Sequence, residues 1–146
     1  MVILPDDKET IAQHVRTFSS KYDYVITSGG IGPTHDDITF ESVAEAFDQE
    51  LRVNAVLEKL VVKFFGSSKG AQLKLATVPS ETVLILKNAD GQKFRYPIVS
   101  VNNVIVLPGI PQLFERSIAG LVGYWTSDRN LFNFLSYTFI SFICRL

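Results

Sequence analysis

An α/β domain built on parallel strands is the fold class this sequence predicts, and three observations carry it. Short apolar runs, Val2-Ile3-Leu4 and Tyr24-Val25-Ile26, alternate with segments whose apolar residues recur at helical spacing. The second run feeds a glycine-rich connection, Thr27-Ser28-Gly29-Gly30-Ile31-Gly32-Pro33-Thr34-His35-Asp36-Asp37-Ile38-Thr39, that leads into another helical pattern. Later, the apolar run from Val104 ends in a second connection of this kind, Leu107-Pro108-Gly109-Ile110-Pro111. Strand, helix, strand, loop and helix in succession form a βαβ order, whose crossover helix brings the next strand in parallel.

The elements follow in chain order. Val2-Ile3-Leu4 is a minimal strand, and Pro5-Asp6-Asp7 is a turn and helix cap. The first helix carries Ile11, Val15 and Phe18 on one face, with His14 beside them as a bystander rather than a ligand. After the strand at Tyr24 and the glycine connection, Phe40, Val43, Ala44, Phe47 and Leu51 predict a helix ending near Glu50. Val56, Leu57, Leu60, Val61, Phe64 and Phe65 predict another, stopped by the loop Gly66-Ser67-Ser68-Lys69-Gly70. Gln72 to Thr77 is ambiguous, and Val78-Pro79-Ser80 reads as a break. The period then changes to strands: Thr82 to Leu86, Phe94 to Val101 and Val104 to Leu107. They are joined by turn sequences at Asn88-Ala89-Asp90-Gly91 and Asn102-Asn103. Pro97, lacking an N–H, calls for an edge position or a bulge. The last helical pattern carries Leu113, Phe114, Ile118 and Leu121.

Composition narrows the function classes. A chain of 146 residues with 47% hydrophobic content can form one domain with its own core. A net charge of −1 gives no electrostatic case for a nucleic-acid partner. One cysteine, Cys144, rules out an internal disulfide framework, and the amino end has neither the apolar run nor the basic flank of a signal peptide. A cytoplasmic protein is the expectation.

The two glycine connections are the candidate site. Open α/β sheets bind ligands at the carboxyl ends of their strands, and two such loops side by side would form two walls of one pocket. Gly29, Gly30 and Gly32 let the backbone approach an anion closely, with a helix amino end behind them. Asp36 and Asp37 would repel a bare phosphate, so their presence calls for a divalent cation bridging carboxylate and phosphate. A plainer reading stays open, in which the glycines form only a tight turn and Asp37 or Thr39 only caps the helix.

The end of the chain, from Leu131 to Ile143, is apolar on nearly every side but interrupted by Asn133, Ser136 and Ser141. It is shorter than the roughly twenty residues that span a bilayer, so no membrane partner is expected. A buried terminal helix or strand, a membrane-interface segment and a tail outside the domain are all open readings; the abrupt shift in composition and the lack of any turn or cap favour the last, with an aggregation hazard if exposed.

Ser28 to Thr39 resembles the signature of the molybdopterin-binding (MoaB/Mog-like) domain superfamily, and Leu107-Pro108-Gly109-Ile110-Pro111 looks like its second signature. The paired Asp36-Asp37 and the segment Phe94 to Val101 narrow the likeness to the amino-terminal domain of eukaryotic FAD synthase. A more distant likeness is to the competence-damage-inducible protein A family. The resemblance covers residues 2 to 123, and so divides the chain into a domain at 1–123 and an atypical hydrophobic tail at 124–146. It implies a three-layer α/β/α fold with a mostly parallel sheet, a carboxyl-terminal β-hairpin region and a tendency to form homo-oligomers.

For function, it implies a flavin or related nucleotide as ligand, and hydrolysis of its pyrophosphate, FAD to FMN and AMP, aided by Mg²⁺, Mn²⁺ or Co²⁺. Ser28, Gly29, Gly30, Gly32, Thr34, Thr39, Pro108 and Gly109 would bind the nucleotide phosphates. Asp36 and Asp37 would hold the metal and serve catalysis, and His35 would be an auxiliary phosphate contact. A binding module for a flavin nucleotide or molybdopterin without turnover, or an inactive truncated isoform, is the alternative. Set against the resemblance, three departures are expected: a truncated product lacking the family's first strand and helix before Val2, a tail after Gly123 without counterpart, and no adenylyl-transferase domain of the kind that makes FAD. The missing strand normally sits between the strands at Val2 and Tyr24.

Overall fold

The structure, a computed structural model, describes residues 1–127 and 141–144, with side chains through Val122. Most of the predicted elements form. Strand β1 (Val2–Ile3) leads through the Asp7 cap into α1 (Lys8–Lys21). The Asp7 carboxylate accepts the Thr10 N–H at 2.8 Å, and its hydrogen bonds with Thr10 hold that carboxyl below its usual range. Next come β2 (Val25–Ser28), α2 (Thr39–Ala46), β3 (Leu51–Val53), α3 (Ala55–Phe65), α4 (Ala71–Lys74) and β4 (Thr77–Pro79). The chain continues through β5 (Val83–Lys87), β6 (Lys93–Val101), β7 (Val104–Leu107), α5 (Pro111–Ser127) and β8 (Ser141–Cys144).

The main sheet runs in the order β1-β8-β2-β7-β6-β5. β1, β8, β2 and β7 are mutually parallel, and β6 and β5 add an antiparallel extension, so the sheet is mixed. A separate antiparallel pair joins β3 to β4. On one face, Ile11, Ala12 and Val15 of α1 and Phe40, Val43 and Ala46 of α2 pack against Val25, Val104 and Val106. On the other, Leu121 of α5 packs against Ile26, Ile98, Ile105 and Leu107, with Phe114 and Ile118 beside it. The alternation along β2 separates the two cores, since neighbouring strand residues point to opposite faces. Helices on both faces make the three layers.

Local corrections have identifiable causes. α2 stops at Ala46 rather than near Glu50, because Asp48 takes a positive φ of 53° and the Gln49 N–H turns back to the Ala44 carbonyl at 2.9 Å. That releases Leu51–Val53 to pair as β3. Pro79 does not break the chain but closes β4 opposite Leu51, in a two-stranded ribbon where a missing N–H is tolerated. Pro97 falls where the β5–β6 register shifts between Ile85 and Lys87, the irregularity its chemistry requires. Asn102, with φ of 52°, makes the β6–β7 turn.

The largest correction concerns the tail. Ser141–Cys144 is not outside the domain but lies inside the sheet, parallel to β1 on one side and to β2 on the other. Parallel strands need long connections, and an unfilled slot between β1 and β2 would leave two rows of backbone groups without partners. The apolar run from Leu131 to Ile140 lies outside the described residues. Among the described residues, no helix is long and apolar enough to cross a membrane.

Candidate functional site

β2 and β7 are neighbours in register, with Ser28 opposite Leu107, so both glycine connections leave the same carboxyl edge of the sheet side by side. They are stitched together. The Gly29 N–H donates to the Leu107 carbonyl at 3.0 Å, and the Ser28 hydroxyl donates to the Pro108 carbonyl at 3.3 Å. The backbones touch at Gly109: a Cβ there would stand 3.0 Å from the Gly29 Cα. Ser28, Gly29, Pro108 and Gly109 thus form the seam between the two walls. Because the Gly29 N–H is engaged across this seam, any contact of Gly29 with a phosphate would not use that donor.

The first loop then folds back under α2. Gly29 and Gly30 both take positive φ, 95° and 65°, a region open to glycine at little cost. The buried Thr39 fastens this turn: its hydroxyl donates to the Gly29 carbonyl at 2.8 Å and its N–H to the Gly30 carbonyl at 3.0 Å. A Cβ on Gly30 would come within 2.3 Å of that hydroxyl. Thr39 therefore orients the loop from beneath. It does not cap α2 with its side chain, since the N-cap position is Ile38, which makes no side-chain cap bond.

The two aspartates take different partners. The Asp37 carboxylate turns back on Thr34, accepting its N–H at 3.0 Å and a short hydrogen bond from its hydroxyl. The Asp37 N–H in turn donates to the Thr34 carbonyl at 3.2 Å, closing a compact turn. Gly32 makes room for this arrangement, because a Cβ there would stand 2.6 Å from Asp37 Oδ2. Asp36 points outward and lies 3.3 Å from His35 Nε2, with both side chains well exposed.

Two residues that sequence reasoning passed over join this cluster. Lys74 Nζ donates to the Thr34 carbonyl at 2.8 Å and pairs with Glu41 Oε1 at 3.1 Å. Glu41 stands in the first turn of α2, a placement readable as an acidic helix start. Lys74 lies in the stretch from Gln72 to Thr77 whose pattern was ambiguous, and no local signal ties it to a loop forty residues away.

The donor set bears on the metal expectation. Among the described residues, no three His, Cys, Asp or Glu side chains gather as a ready metal cage. A magnesium-class cation, however, is commonly held by one or two carboxylates with substrate phosphates and water completing the shell. The hard oxygen donors of Asp36 and Asp37 fit that substrate-bridged mode and not a closed protein site.

Fold and edge together define a three-layer α/β/α domain with a pair of abutting strand-to-helix glycine loops at the carboxyl edge of its sheet. Residues 1–124 match the family described as "Probable molybdopterin binding domain", and the chain belongs to that family. Among its relatives, a "Probable FAD synthase" of Caenorhabditis briggsae is 35% identical over 136 residues, covering 80% of this chain and 26% of that protein. A protein of the same description from Caenorhabditis elegans is 34% identical, covering 79% of this chain and 26% of its own length. A "CinA-like protein" of Thermosipho melanesiensis is 32% identical over 79% of this chain and 31% of its own. This chain thus spans about a quarter of the length of the FAD synthases it matches. Among solved structures, the protein CinA with unknown function from Thermoplasma acidophilum superimposes with a TM-score of 0.65 at 28% identity. That match covers 86% of this chain and 72% of the other.

Proposed function

We propose that the paired glycine loops bind the diphosphate of a flavin dinucleotide or a chemically related nucleotide and support its hydrolysis, FAD and water giving FMN and AMP. The observation that carries this reading is the seam between Gly29 and Gly109, which sets two glycine-lined walls against each other with Asp36 and Asp37 on one of them. Gly30, Gly32 and Gly109 carry no side-chain bulk of their own, and Pro108 stiffens the second wall. Ser28 and Thr39 hold the walls in place. Asp36, exposed and close to His35, would accept a proton from an attacking water. Water oxygen bonds to one phosphorus, the bridging P–O bond breaks, and the leaving phosphate takes the electron pair. A divalent cation bound by the aspartates and the diphosphate would neutralise charge that builds on the phosphoryl oxygens.

A second reading has its own support. The Asp37 carboxylate is already satisfied in part by Thr34, which suits a loop that binds a nucleotide or pterin without turning it over. Incubating the purified chain with FAD and Mg²⁺, Mn²⁺ or Co²⁺ separates the two, with FMN release followed by chromatography. FMN release that Asp36→Asn and Asp37→Asn both diminish supports hydrolysis. FAD binding with no FMN release leaves the binding module, and neither result leaves an inactive fragment of the fold.

A further inference from the structure

Lys74 closes α4, and that short helix is anchored on three sides. The Thr77 hydroxyl donates to the Leu73 carbonyl at 2.8 Å, the Tyr96 hydroxyl donates to the Leu75 carbonyl at 2.9 Å, and Ala76 is fully buried. From this platform the Lys74 ammonium reaches Thr34 in the glycine loop and Glu41 in α2 at once. Thr34 is exposed, but the ion pair that braces it is partly shielded. The Lys74 and Glu41 side chains are 26% and 28% exposed, and Glu41 Oε2 is buried without a hydrogen-bond partner among the described residues. An exposed pair contributes little, but a shielded carboxylate deprived of its cation is costly. The Thr34 peptide is the hub of the turn. Its carbonyl accepts both the Lys74 ammonium and the Asp37 N–H, while its N–H and hydroxyl hold the Asp37 carboxylate.

We propose that Lys74 is a positioning residue of the glycine-loop site: its ammonium, braced by Glu41, fixes the Thr34 peptide and through it the Asp37 carboxylate. The proposal rests on the reading that Asp37 serves this site. Lys74 does not touch the reacting atoms in this account. It acts by keeping Asp37 in one orientation, so its loss should lower turnover without changing how tightly substrate is held.

The test uses the full chain with Lys74→Met, Lys74→Arg and the double variant Lys74→Met/Glu41→Gln, which removes the strut without leaving an uncompensated carboxylate if the single variant folds poorly. Two readouts are taken: kcat and KM for FMN release from FAD with Mn²⁺, and backbone amide exchange at Thr34 to Asp37. In Lys74→Met and in the double variant, kcat should fall about ten- to a hundredfold, the range for groups that orient a ligand-bearing side chain, with KM nearly unchanged. Amides of Thr34 to Asp37 should exchange faster while those of β2 and β7 keep their protection. Lys74→Arg should restore most of both. A raised KM with kcat kept would mean that Lys74 contacts substrate, and overturns the proposal. So would unchanged loop exchange in a folded double variant. If the unaltered chain releases no FMN, the hydrolytic reading has failed, and the exchange readout then decides on Lys74 alone.

Discussion

Gly29 and Gly109 meet backbone to backbone, close enough that a Cβ on Gly109 would stand 3.0 Å from the Gly29 Cα. The obstacle is main chain, which cannot rotate aside as a side chain would. Gly109→Ala should therefore wedge the loops apart and destabilise the fold by about 1–2 kcal/mol, the usual cost of modest overpacking. Denaturant unfolding should show a lower midpoint with an unchanged slope. Binding of FAD, if the loops hold it, should weaken as well, because the seam positions both walls.

The contact between Gly30 and Thr39 admits a sharper test. In Gly30→Ala the new methyl would collide with the Thr39 hydroxyl and the residue would sit at a positive φ of 65°, so two penalties add. Thr39→Ala alone removes a buried hydrogen bond to the Gly29 carbonyl, worth about 1 kcal/mol. In the double variant the collision is gone and only the backbone strain and the lost bond remain. A double-mutant cycle should then give a coupling of about 1 kcal/mol or more, with the pair less damaging than the sum of the singles. Strict additivity would show that the two residues do not meet.

How much of this was legible in the sequence depends on range along the chain. The loops at Gly29 and Gly109 could be read because glycine density, strand ends and helical periods are local signals, but their adjacency, expected only as one possible arrangement, depends on β2 pairing with the distant β7. The Asp7 cap and the Asn102 turn are local too, and the structure has both. Lys74 was not legible, because its partners Thr34 and Glu41 are distant in sequence and α4 is too short for a period. Nor was the seat of β8. Its apolar residues show no alternation that would distinguish an inner strand from a stray tail.

Tyr96 links the sheet to α4, and its environment predicts a response to alkali. Burial pushes its hydroxyl up to about 12, from 10 for an unperturbed phenol, because the fold disfavours the charged form. The sign follows directly: stability from the neutral phenol is complete below pH 10 and is lost as pH rises from 10 through 12. Tyr96→Phe should be less stable than the parent by about 1 kcal/mol at neutral pH, through the lost bond to the Leu75 carbonyl. Between pH 10 and 12 that gap should close. Thermal melting of both proteins across this range would show it, and a gap independent of pH would mean that the phenol is not shielded.

β1 joins the sheet through β8 and has no other strand beside it among the described residues. A chain ending at Ser127 would therefore lose two strands rather than one: β8 itself, and β1 for want of a partner. It would also expose the β2 edge, an open row of donors and acceptors next to the first glycine loop. Such a chain should lose cooperative melting by circular dichroism or associate through that edge, which gel filtration would register. If instead it melts as the full chain does and stays monomeric, Ser141–Cys144 adds nothing to the fold. The register also makes a finer expectation. Ser28 lies opposite Cys144, so β8 borders the strand that launches the site loop. Replacing Phe142 with proline removes a main-chain donor within a strand paired on both sides, and should cost about 1–3 kcal/mol through the partner left unsatisfied. If the seat of β8 supports the loop, the same change should loosen amide protection at Ser28 and Gly29.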